Sequence, residues 1–417
     1  MTATGTQSAP AARAGSLLRA VLLENVHSSA DPILEAAGFE VRRATGSLSG
    51  ADLAAELRGA ALLGVRSKTR VPAEALAGAP SLLAIGCFCI GTDQVDLAAA
   101  GRAGIPVFNA PFSNTRSVAE MTLAEVVALA RRLFEKSAGL HAGRWDKSAR
   151  DAHEVRGRTL GIVGYGHIGS QLSVLAESLG MRVIFHDVAR KLPLGNAHSV
   201  PTLDALLAEA DVVSLHVPAT PQTRHLIGRA QLERMKPGAH LVNNARGSVV
   251  DLEALAEALR EGRIGGAAVD VFPSEPEGNG DGFQTPLRGL PNVILTPHIG
   301  GSTEEAQESI AVEVAEKLVR FHAHGTTQSA VSVPEVDLPL LRPDQLRITH
   351  FHHNVPGVLG RLHTMLADLG VNINAEYLQS NRETSYVILD VERTPAEAEV
   401  KRRLATVPET IRVRTLG

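Results

Sequence analysis

The sequence predicts an α/β protein with two doubly wound parallel-sheet domains, one inserted in the other, and a small C-terminal βαββαβ domain. Short β-type runs alternate with helical patterns in the first third of the chain and again over residues 145–300, which indicates parallel sheets with helices on both faces. Two long helical patterns, from Ser117 to about His141 and from Ser302 to about His324, flank the second alternation. This flanking predicts an insertion, with the two helices as the crossings.

Each alternating region predicts a series of short strands, because apolar runs are bounded there by turn residues. In the first region the strands are Arg19–Val26, Phe39–Arg43, Ala61–Arg66, Leu82–Phe88 and Pro106–Asn109, with a helix at Asp93–Gly101. In the second they are Thr159–Val163, Arg182–His186, Asp211–Val217, His240–Asn244, Gly266–Val271 and Asn292–Thr296. Ser117 with Glu120, and Ser302 with Glu305, predict capping boxes where the long helices begin.

A linker precedes the last domain. Residues 330–345 contain three prolines and no helical period, which is typical of a linker. The pattern then runs strand 346–353, helix 356–369, strand 371–379, strand 384–392, helix 395–406, strand 410–416, the order of a ferredoxin-like domain. The predicted domains are a disordered extension at 1–16, an outer domain at 17–113 and 302–335, an inserted domain at 114–301 and a small domain at 343–417.

The composition excludes several classes of protein. Forty-one basic residues oppose 45 acidic ones, and the net charge of −4 provides no electrostatic footprint for nucleic acid and no polybasic membrane anchor. The N-terminal residues lack the apolar region of a signal peptide, and no run of about 18 apolar residues occurs. We expect a cytoplasmic protein with neither nucleic acid nor a membrane as partner.

The chain has two cysteines, Cys87 and Cys89. Two cysteines in 417 residues make no disulfide framework, which fits a reducing compartment. A Cys-x-Cys pair can mark a redox or metal site, but no partners with ligand spacing lie nearby in the sequence. The run favours a buried strand, and no metal site is predicted.

A glycine-rich turn, Gly164-Tyr-Gly-His-Ile-Gly169, lies between a predicted strand and a predicted helix. Gly164 permits the tight turn, Gly166 lets a pyrophosphate approach the backbone, and Gly169 allows the helix to pack closely on the strand. The helix N-terminus offers amide donors and a positive dipole to phosphates. Asp187 ends the next strand, where an acid hydrogen-bonds ribose hydroxyls and repels a 2′-phosphate. The turn therefore predicts NAD rather than NADP as the cofactor.

Polar side chains follow the later strands of the inserted domain. Arg246, Asp270 and His298 come at or just after strand ends, and Glu275 lies in the turn after Asp270. Because ligands bind at the carboxyl ends of strands in open α/β sheets, we expect these side chains to converge. A histidine backed by a carboxylate can accept a hydroxyl proton near neutral pH, and an arginine can clamp a substrate carboxylate. The set predicts oxidation of an alcohol by hydride transfer.

Each of these residues also has a structural interpretation. A single histidine at a strand end is more often structural than catalytic, and Glu275 in a proline-rich turn can be merely solvated. The joint occurrence of Arg246, Glu275 and His298 behind a dinucleotide-binding turn is what favours an active site.

Several blocks of sequence together resemble one family. They are Ala84–Thr92, Phe108–Glu120, Gly164–Gly169, Lys191–Asn196 and Leu295–Thr303. On these blocks the chain resembles the D-isomer-specific 2-hydroxyacid dehydrogenases over about residues 20–417, and among them the bacterial phosphoglycerate dehydrogenases with one C-terminal ACT domain. The resemblance implies a flavodoxin-like substrate-binding outer domain, a Rossmann-like NAD-binding inserted domain and a regulatory ACT domain. It also implies oxidation of D-3-phosphoglycerate to 3-phosphohydroxypyruvate, the first step of serine biosynthesis.

The resemblance further implies roles for individual residues. The family's catalytic residues fall on Arg246, Glu275 and His298. Its NAD contacts fall on Gly164, Gly166, His167, Ile168, Gly169, Asp187, Asn244, Ala245, Arg246, Asp270, His298, Ile299, Gly300 and Gly301. Its substrate contacts fall on Arg66, Ser67, Lys68, Gly86, Asn114 and Lys147. Lys147 is either a contact to a neighbouring subunit's site or a solvated surface lysine.

An ACT domain implies that a small amino acid binds at a dimer interface, and the family's serine contacts fall on His352, Asn354 and Asn372. A homo-oligomer, a tetramer built through NAD-domain and ACT-domain interfaces, is implied as well. The chain departs from its relatives at Lys68, which replaces the commoner arginine and lacks its bidentate fork. It departs again at Leu341–Gln345, where a proline-containing junction replaces a Gly-Gly hinge and restricts the backbone. The restricted junction therefore disfavours transmission of a serine signal but leaves serine binding unaffected.

Two other functions stay open. A dehydrogenase for another small acid, such as glyoxylate or 2-oxoglutarate, needs no second cationic cluster, so Arg66 and Lys68 disfavour it. A non-catalytic NAD-sensing regulator on the same scaffold is disfavoured by the complete set of Arg246, Glu275 and His298, and by the absence of a basic surface.

Overall fold

The structure, a computed structural model, describes residues 17–276 and 280–417, so the predicted extension at 1–16 lies outside the described residues. Two compact units are present: the first comprises 17–113 and 307–417, and the second comprises 114–306. The second unit is thus inserted in the first, as the fold class predicted. The C-terminal residues 343–417, predicted as a separate domain, share the first unit.

The N-terminal part of the first unit contains a parallel sheet in the order β2-β1-β3-β4-β5, which is the flavodoxin-like order. All six residues of β3 are buried, as expected for a central strand covered on both faces. The strands are β1 (Leu18–Leu22), β2 (Phe39–Arg43), β3 (Ala60–Val65), β4 (Ala84–Cys87) and β5 (Val107–Asn109), and the helices are α1 (Ala30–Ala36), α2 (Gly50–Leu57), α3 (Ala73–Ala77) and α4 (Leu97–Arg102).

The second unit contains a parallel sheet in the order β12-β11-β10-β9-β6-β7-β8. The chain starts in the middle of this sheet and reverses direction between β6 and β9, and such a switch point opens a ligand crevice at the carboxyl ends of the strands. The strands are β6 (Thr159–Val163), β7 (Arg182–His186), β8 (His198–Ser199), β9 (Val212–Leu215), β10 (Ala239–Asn243), β11 (Ile264–Val269) and β12 (Val293–Leu295). The helices are α5 (Thr115–Arg131), α6 (Leu133–His141), α7 (His167–Ser178), α8 (Leu203–Glu209), α9 (Arg229–Arg234) and α10 (Leu252–Arg260).

The first long helix ends at His141 as predicted, but it differs from its prediction at its start and in its middle. It begins at Thr115 with Asn114 at the N-cap, so Ser117 lies inside α5 and the predicted capping box is wrong. Glu120 instead accepts a hydrogen bond from Arg116, one turn earlier on the exposed face. Arg132 then adopts a left-handed backbone with φ of 51° and ends α5, so the predicted continuous helix is two helices, α5 and α6.

The second long helix, α11 (Glu304–His324), carries the chain back into the first unit. The Oγ1 atom of Thr303 accepts a hydrogen bond from the N–H of Ala306 at 3.2 Å. Thr303, rather than the predicted Ser302, therefore satisfies the free amides at the start of this helix.

The C-terminal part is an antiparallel sheet in the order β14-β15-β13-β16, with two helices between its strands, so the predicted βαββαβ order is confirmed. Alternate residues of β15 divide between two cores: Val387 and Leu389 pack with the two helices, whereas Tyr386 and Ile388 pack in the core that contains α11. The elements are β13 (Gln345–His353), α12 (Val358–Asp368), β14 (Ile373–Ser380), β15 (Thr384–Glu392), α13 (Glu397–Leu404) and β16 (Thr410–Leu416).

Polar and aromatic contacts join the strands of this sheet and fasten it to the end of α11. The ring of Phe351 stacks on that of Tyr386 at 3.9 Å, and the Tyr386 hydroxyl donates to the carbonyl of Gly325, just beyond α11, at 2.6 Å. Arg347, which is fully buried, donates to both carboxyl oxygens of Asp390 at 2.6 and 2.7 Å. None of the helices in the described part of the chain is long and apolar enough to cross a membrane.

Candidate active site

The glycine-rich turn has the shape that its sequence predicts. Gly164 ends β6 with φ of 91°, a left-handed conformation that favours glycine, and a Cβ there would lie 2.5 Å from the carbonyl oxygen of His216. A Cβ on Gly169 would lie 2.3 Å from the carbonyl oxygen of Gly164, so α7 packs directly on the turn. At Gly166, the N-cap of α7, a Cβ would meet nothing within 4 Å. This open backbone at a helix N-terminus fits a dinucleotide pyrophosphate.

Asp187 follows β7 and holds the turn in place. Its Oδ2 atom accepts from the N–H of Tyr165 at 2.8 Å, and its Oδ1 atom accepts from the N–H of Ala189 at 2.8 Å. The remaining lone pairs of this carboxylate can accept ribose hydroxyls. The hydrogen bond from Tyr165 links Asp187 to the glycine-rich turn. No sequence pattern predicts this bond, because 22 residues separate Tyr165 from Asp187.

Asp270, at the end of β11, organises the loop that carries the candidate base. Its buried carboxylate accepts from the hydroxyl of Thr296 at 2.6 Å and from the N–H groups of Ile299 and Gly300 at 2.8 and 2.9 Å. Three donors on one carboxylate fix the loop after β12. Asp270 is therefore the residue that orients this loop, a role beyond the predicted cofactor contact.

His298 and Glu275 form the pair that the sequence predicts. The Nδ1 atom of His298 lies 2.7 Å from Oε2 of Glu275, and Oε1 of Glu275 accepts from the N–H of Phe272 at 2.9 Å. His298 has a left-handed backbone with φ of 55°, which is uncommon for a residue other than glycine. This strained conformation at a strand end is typical of functional residues.

The electrostatics of the pair favour a charged histidine. The hydrogen bond that His298 donates to Glu275 raises the pKa of His298 above its ordinary value, against the opposing effect of burial, and the charges of Glu275 and Asp270 add to the rise. Partial burial would raise the pKa of Glu275, but the bonds from His298 and the Phe272 amide outweigh it and lower that pKa. The carboxylate thus stays ionised while the imidazole accepts a proton.

Arg246 lies beside this pair. Its charge contributes to the lowered pKa of Glu275 and opposes the raised pKa of His298. Its Nη1 atom donates to the carbonyl of Ala245 at 2.8 Å, and the Nδ2 atom of Asn243 donates to the carbonyl of Arg246 at 3.1 Å. The carboxyl ends of β10, β11 and β12 therefore bring a guanidinium and a carboxylate–imidazole pair together.

Asn244 faces the helix side of the sheet. Its Nδ2 atom donates to Oγ1 of Thr122 at 2.9 Å and to Oε2 of Glu125 at 2.6 Å, both on α5. The sequence predicts Asn244 as a cofactor contact, but nothing in it identifies Thr122 or Glu125 as partners, since about 120 residues separate them from Asn244.

Two further predicted substrate residues belong to the second unit. Asn114 occupies the N-cap position of α5 without a side-chain capping bond, and its buried Oδ1 atom has no hydrogen-bond partner. A Cβ on Gly301 would lie 2.3 Å from its Nδ2 atom. A side chain at position 301 would therefore displace the amide of Asn114. Lys147 is exposed, two residues after Trp145, whose side chain is 78% exposed.

The other predicted substrate residues belong to the first unit, after β3. Arg66 is half-buried and Lys68 is exposed. The backbone here is held by Glu24, whose carboxylate accepts from the N–H groups of Lys68 and Thr69 at 2.9 and 2.7 Å. Ser67 is exposed between the two cations. Gly86 lies inside β4, where a Cβ would meet Val314 of α11 at 2.6 Å, so close packing is sufficient to explain this glycine.

The predicted effector residues lie at opposite ends of the C-terminal sheet. His352, at the end of β13, is buried opposite Ser385 of β15, and Asn354 follows it, exposed. Asn372 precedes β14, whose first residue pairs with Val391. Along β15, Val391 lies six residues after Ser385, which corresponds to about 20 Å at the rise of a strand. One chain therefore does not bring Asn372 to the other two residues.

Two parts of the chain match known protein families. Residues 123–300 match the family described as D-isomer specific 2-hydroxyacid dehydrogenase, NAD binding domain, and residues 348–412 match the AHAS small subunit-like ACT domain. With the relatives below, these matches show that the chain belongs to the D-isomer specific 2-hydroxyacid dehydrogenase family. It is accordingly an oxidoreductase that uses NAD.

The similar proteins include D-3-phosphoglycerate dehydrogenases. That of Haemophilus influenzae is 50% identical over 402 residues, covering 96% of this chain and 98% of that protein. That of Escherichia coli K12 is 50% identical over 401 residues, covering 96% and 97%. Among solved structures, the D-lactate dehydrogenase from Aquifex aeolicus complexed with NAD and lactic acid has a TM-score of 0.64 and 32% identity, covering 72% of this chain and 95% of that one.

Proposed function

We propose that this chain oxidises D-3-phosphoglycerate to 3-phosphohydroxypyruvate in the cytoplasm, with reduction of NAD, as the first step toward serine. The observation that carries the proposal is the 2.7 Å contact between His298 and Glu275 with Arg246 beside it. The relatives named D-3-phosphoglycerate dehydrogenase supply the substrate class.

In this mechanism His298 is the general base. Its Nε2 atom takes the proton from the C2 hydroxyl of the substrate, and Glu275 on Nδ1 stabilises the imidazolium that forms. Arg246 binds the substrate carboxylate and stabilises charge that develops on the oxygen. Bound NAD supplies the chemistry of a hydride acceptor. In the reverse direction His298 returns the proton to the carbonyl oxygen of 3-phosphohydroxypyruvate.

The phosphate distinguishes this substrate from other 2-hydroxy acids. We assign it to Arg66, Ser67 and Lys68, because two cations and a hydroxyl on one loop suit a dianion. The unpartnered Oδ1 atom of Asn114 is an acceptor for a substrate hydroxyl. Lys147, exposed beside Trp145, is assigned to the site of a neighbouring subunit.

The substrate assignment is tested with a panel of 2-hydroxy and 2-oxo acids and NAD(H). We expect 3-phosphohydroxypyruvate to exceed glyoxylate and 2-oxoglutarate in kcat/KM. Arg66→Ala should raise the KM for the phosphorylated substrate about tenfold or more, since a charge-assisted hydrogen bond contributes roughly 1.5–3 kcal/mol. Arg70→Ala is the control, because Arg70 is an exposed cation whose Nη1 atom binds the carbonyl of Asp93. An unchanged KM in Arg66→Ala would reject the phosphate assignment.

Serine is the proposed effector, and the enzyme is proposed to be a tetramer. Because His352 and Asn354 lie at one end of the C-terminal sheet and Asn372 at the other, a serine site that uses all three needs two copies of the chain. A pair of sheets related by a two-fold axis provides two such sites, one at each end.

Serine is expected to inhibit the enzyme, and two single variants test the shared site. Asn354→Ala and Asn372→Ala should each abolish inhibition, because each removes a polar contact from both sites of a dimer. Co-expressed chains of the two variants should regain partial inhibition, since a mixed dimer contains one intact site and one doubly altered site. Full activity of the natural chain at saturating serine would reject the effector, and mixed dimers as insensitive as either variant would reject the two-copy site.

A further inference from the structure

A carboxyl–amide pair is buried beneath the strand ends of the second unit. Glu125 on α5 is 5% exposed and Asn244 after β10 is 8% exposed. The Nδ2 atom of Asn244 donates to Oε2 of Glu125 at 2.6 Å. The second oxygens of both groups, Oε1 of Glu125 and Oδ1 of Asn244, are shielded from solvent and accept no hydrogen bond. Buried acceptors without a donor cost free energy, so such atoms call for an explanation.

A proton on Glu125 would supply the donor that both oxygens lack. An ionised carboxylate has acceptors alone, whereas a protonated one has an O–H donor. With the proton on Oε1, Glu125 can donate to Oδ1 of Asn244 while its Oε2 continues to accept from Nδ2. The two planar groups then form a closed acid–amide pair with two hydrogen bonds, and neither oxygen is left unpaired.

The surroundings favour the neutral acid. Burial raises the pKa of Glu125 to about 7, the bond from Asn244 lowers it in part, and the negative charge of Asp270 raises it. Among the described residues packed against α5 from β10, β11, β12, α6 and α7, Asp270 is the charged group that acts on Glu125. Asp270 itself holds Ile299 and Gly300, so a second charge nearby would disturb the loop that carries His298.

We propose that Glu125 is a positioning residue whose protonated carboxyl holds Asn244, and through it the backbone of Asn243–Arg246, in the geometry that binds NAD. This inference rests on the proposed function insofar as that backbone contacts the nicotinamide end of the cofactor. Loss of the proton breaks the bond to Oδ1 of Asn244 and places a carboxylate opposite that of Asp270. NAD binding then takes up a proton at Glu125, and affinity falls as the pH rises.

The test is the dissociation constant of NADH measured by fluorescence titration, without substrate, across pH 6.5–8.5. In the natural protein the constant is expected to rise about tenfold over this range, the effect of losing one buried hydrogen bond. Glu125→Gln should flatten the rise, because its amide keeps a donor and an acceptor toward Asn244 and carries no charge. His298 also titrates in the site, but it is common to both proteins, so their difference isolates Glu125.

Glu120→Gln is the matched control, an exposed glutamate on the same helix, and it should keep the pH response of the natural protein. A flat dissociation constant in the natural protein would overturn the proposal, even if Glu125→Gln failed to fold. An equal rise in Glu125→Gln would overturn it as well. Because no substrate is present, failure of the phosphoglycerate assignment would leave this measurement unaffected, and the two failures are distinguishable.

Discussion

His298→Asn is expected to lower kcat for oxidation of the substrate about 10²–10⁴-fold, the usual contribution of a positioned general base. Asparagine is the appropriate replacement because His298 has a φ of 55°, and asparagine tolerates this left-handed region better than most residues. The variant should keep its fold. The measurement is steady-state kinetics in both directions, with NADH binding measured separately.

His225→Asn is the matched control. His225 also has a left-handed backbone, with φ of 48°, and is exposed in the same unit. It should keep its kcat. A His298→Asn variant with normal turnover would remove His298 as the general base of the mechanism.

The pH dependence of kcat/KM tests the pair of His298 and Glu275. Oxidation needs neutral His298, so kcat/KM for oxidation should rise with pH through an acid limb that lies above the ordinary histidine pKa, because Glu275 raises the pKa of His298. Reduction needs the protonated form and should fall over the same range. Glu275→Gln removes the carboxylate charge, so it should move both limbs to lower pH. Limbs that stay in place would show that another group titrates.

The second large effect is expected in stability. Asp390→Ala should lower the free energy of unfolding of the C-terminal sheet by about 3–5 kcal/mol, because it leaves the fully buried Arg347 without its counter-charge. Arg347 also donates to the carbonyls of His324 and Pro339 at 3.0 Å, so the loss extends to the end of α11 and the linker. Urea denaturation combined with hydrogen exchange in β13 and β15 measures it.

Glu399→Ala is the control for this prediction. Glu399 pairs with Arg402 on the exposed face of α13, and an exposed pair contributes about 0–1 kcal/mol. The double variant Arg347→Met, Asp390→Leu should recover much of the loss, since apolar replacement of a buried pair is often close to neutral. If Asp390→Ala cost no more than Glu399→Ala, the pair would not stabilise this sheet.

The buried pair also bears on the altered linker. A proline-containing junction replaces the Gly-Gly hinge expected from the family resemblance, and Arg347 joins β13 to the linker carbonyl of Pro339 and to the end of α11. Arg347, held by Asp390 within the C-terminal sheet, therefore fastens that sheet to the linker and to the end of α11.

Much of this protein follows from local sequence patterns. The strands at Phe39–Arg43, Thr159–Val163, Arg182–His186 and Thr384–Glu392 have the predicted limits, because their apolar runs end at clear turn residues. The conformation of the glycine-rich turn is predicted by the spacing of its glycines, because each glycine is required by close contacts with residues nearby in the chain. The predicted capping boxes are wrong: α5 begins after Asn114, which makes no side-chain capping bond, and Thr303 rather than Ser302 accepts from the first turn of α11.

The sequence by itself predicted the fold class, the NAD-binding turn and Arg246, Glu275 and His298 as candidate site residues, because periodicity and turn chemistry act over short stretches of chain. The tertiary structure alone decided which distant groups meet. It brought the carboxylate of Asp187 to the backbone amide of Tyr165 and the side chain of Asn244 to that of Glu125. It also placed Asn372 and His352 at opposite ends of the C-terminal sheet. Such pairings depend on strand order, register and helix packing, and each couples residues too far apart in the chain for any local pattern to record them.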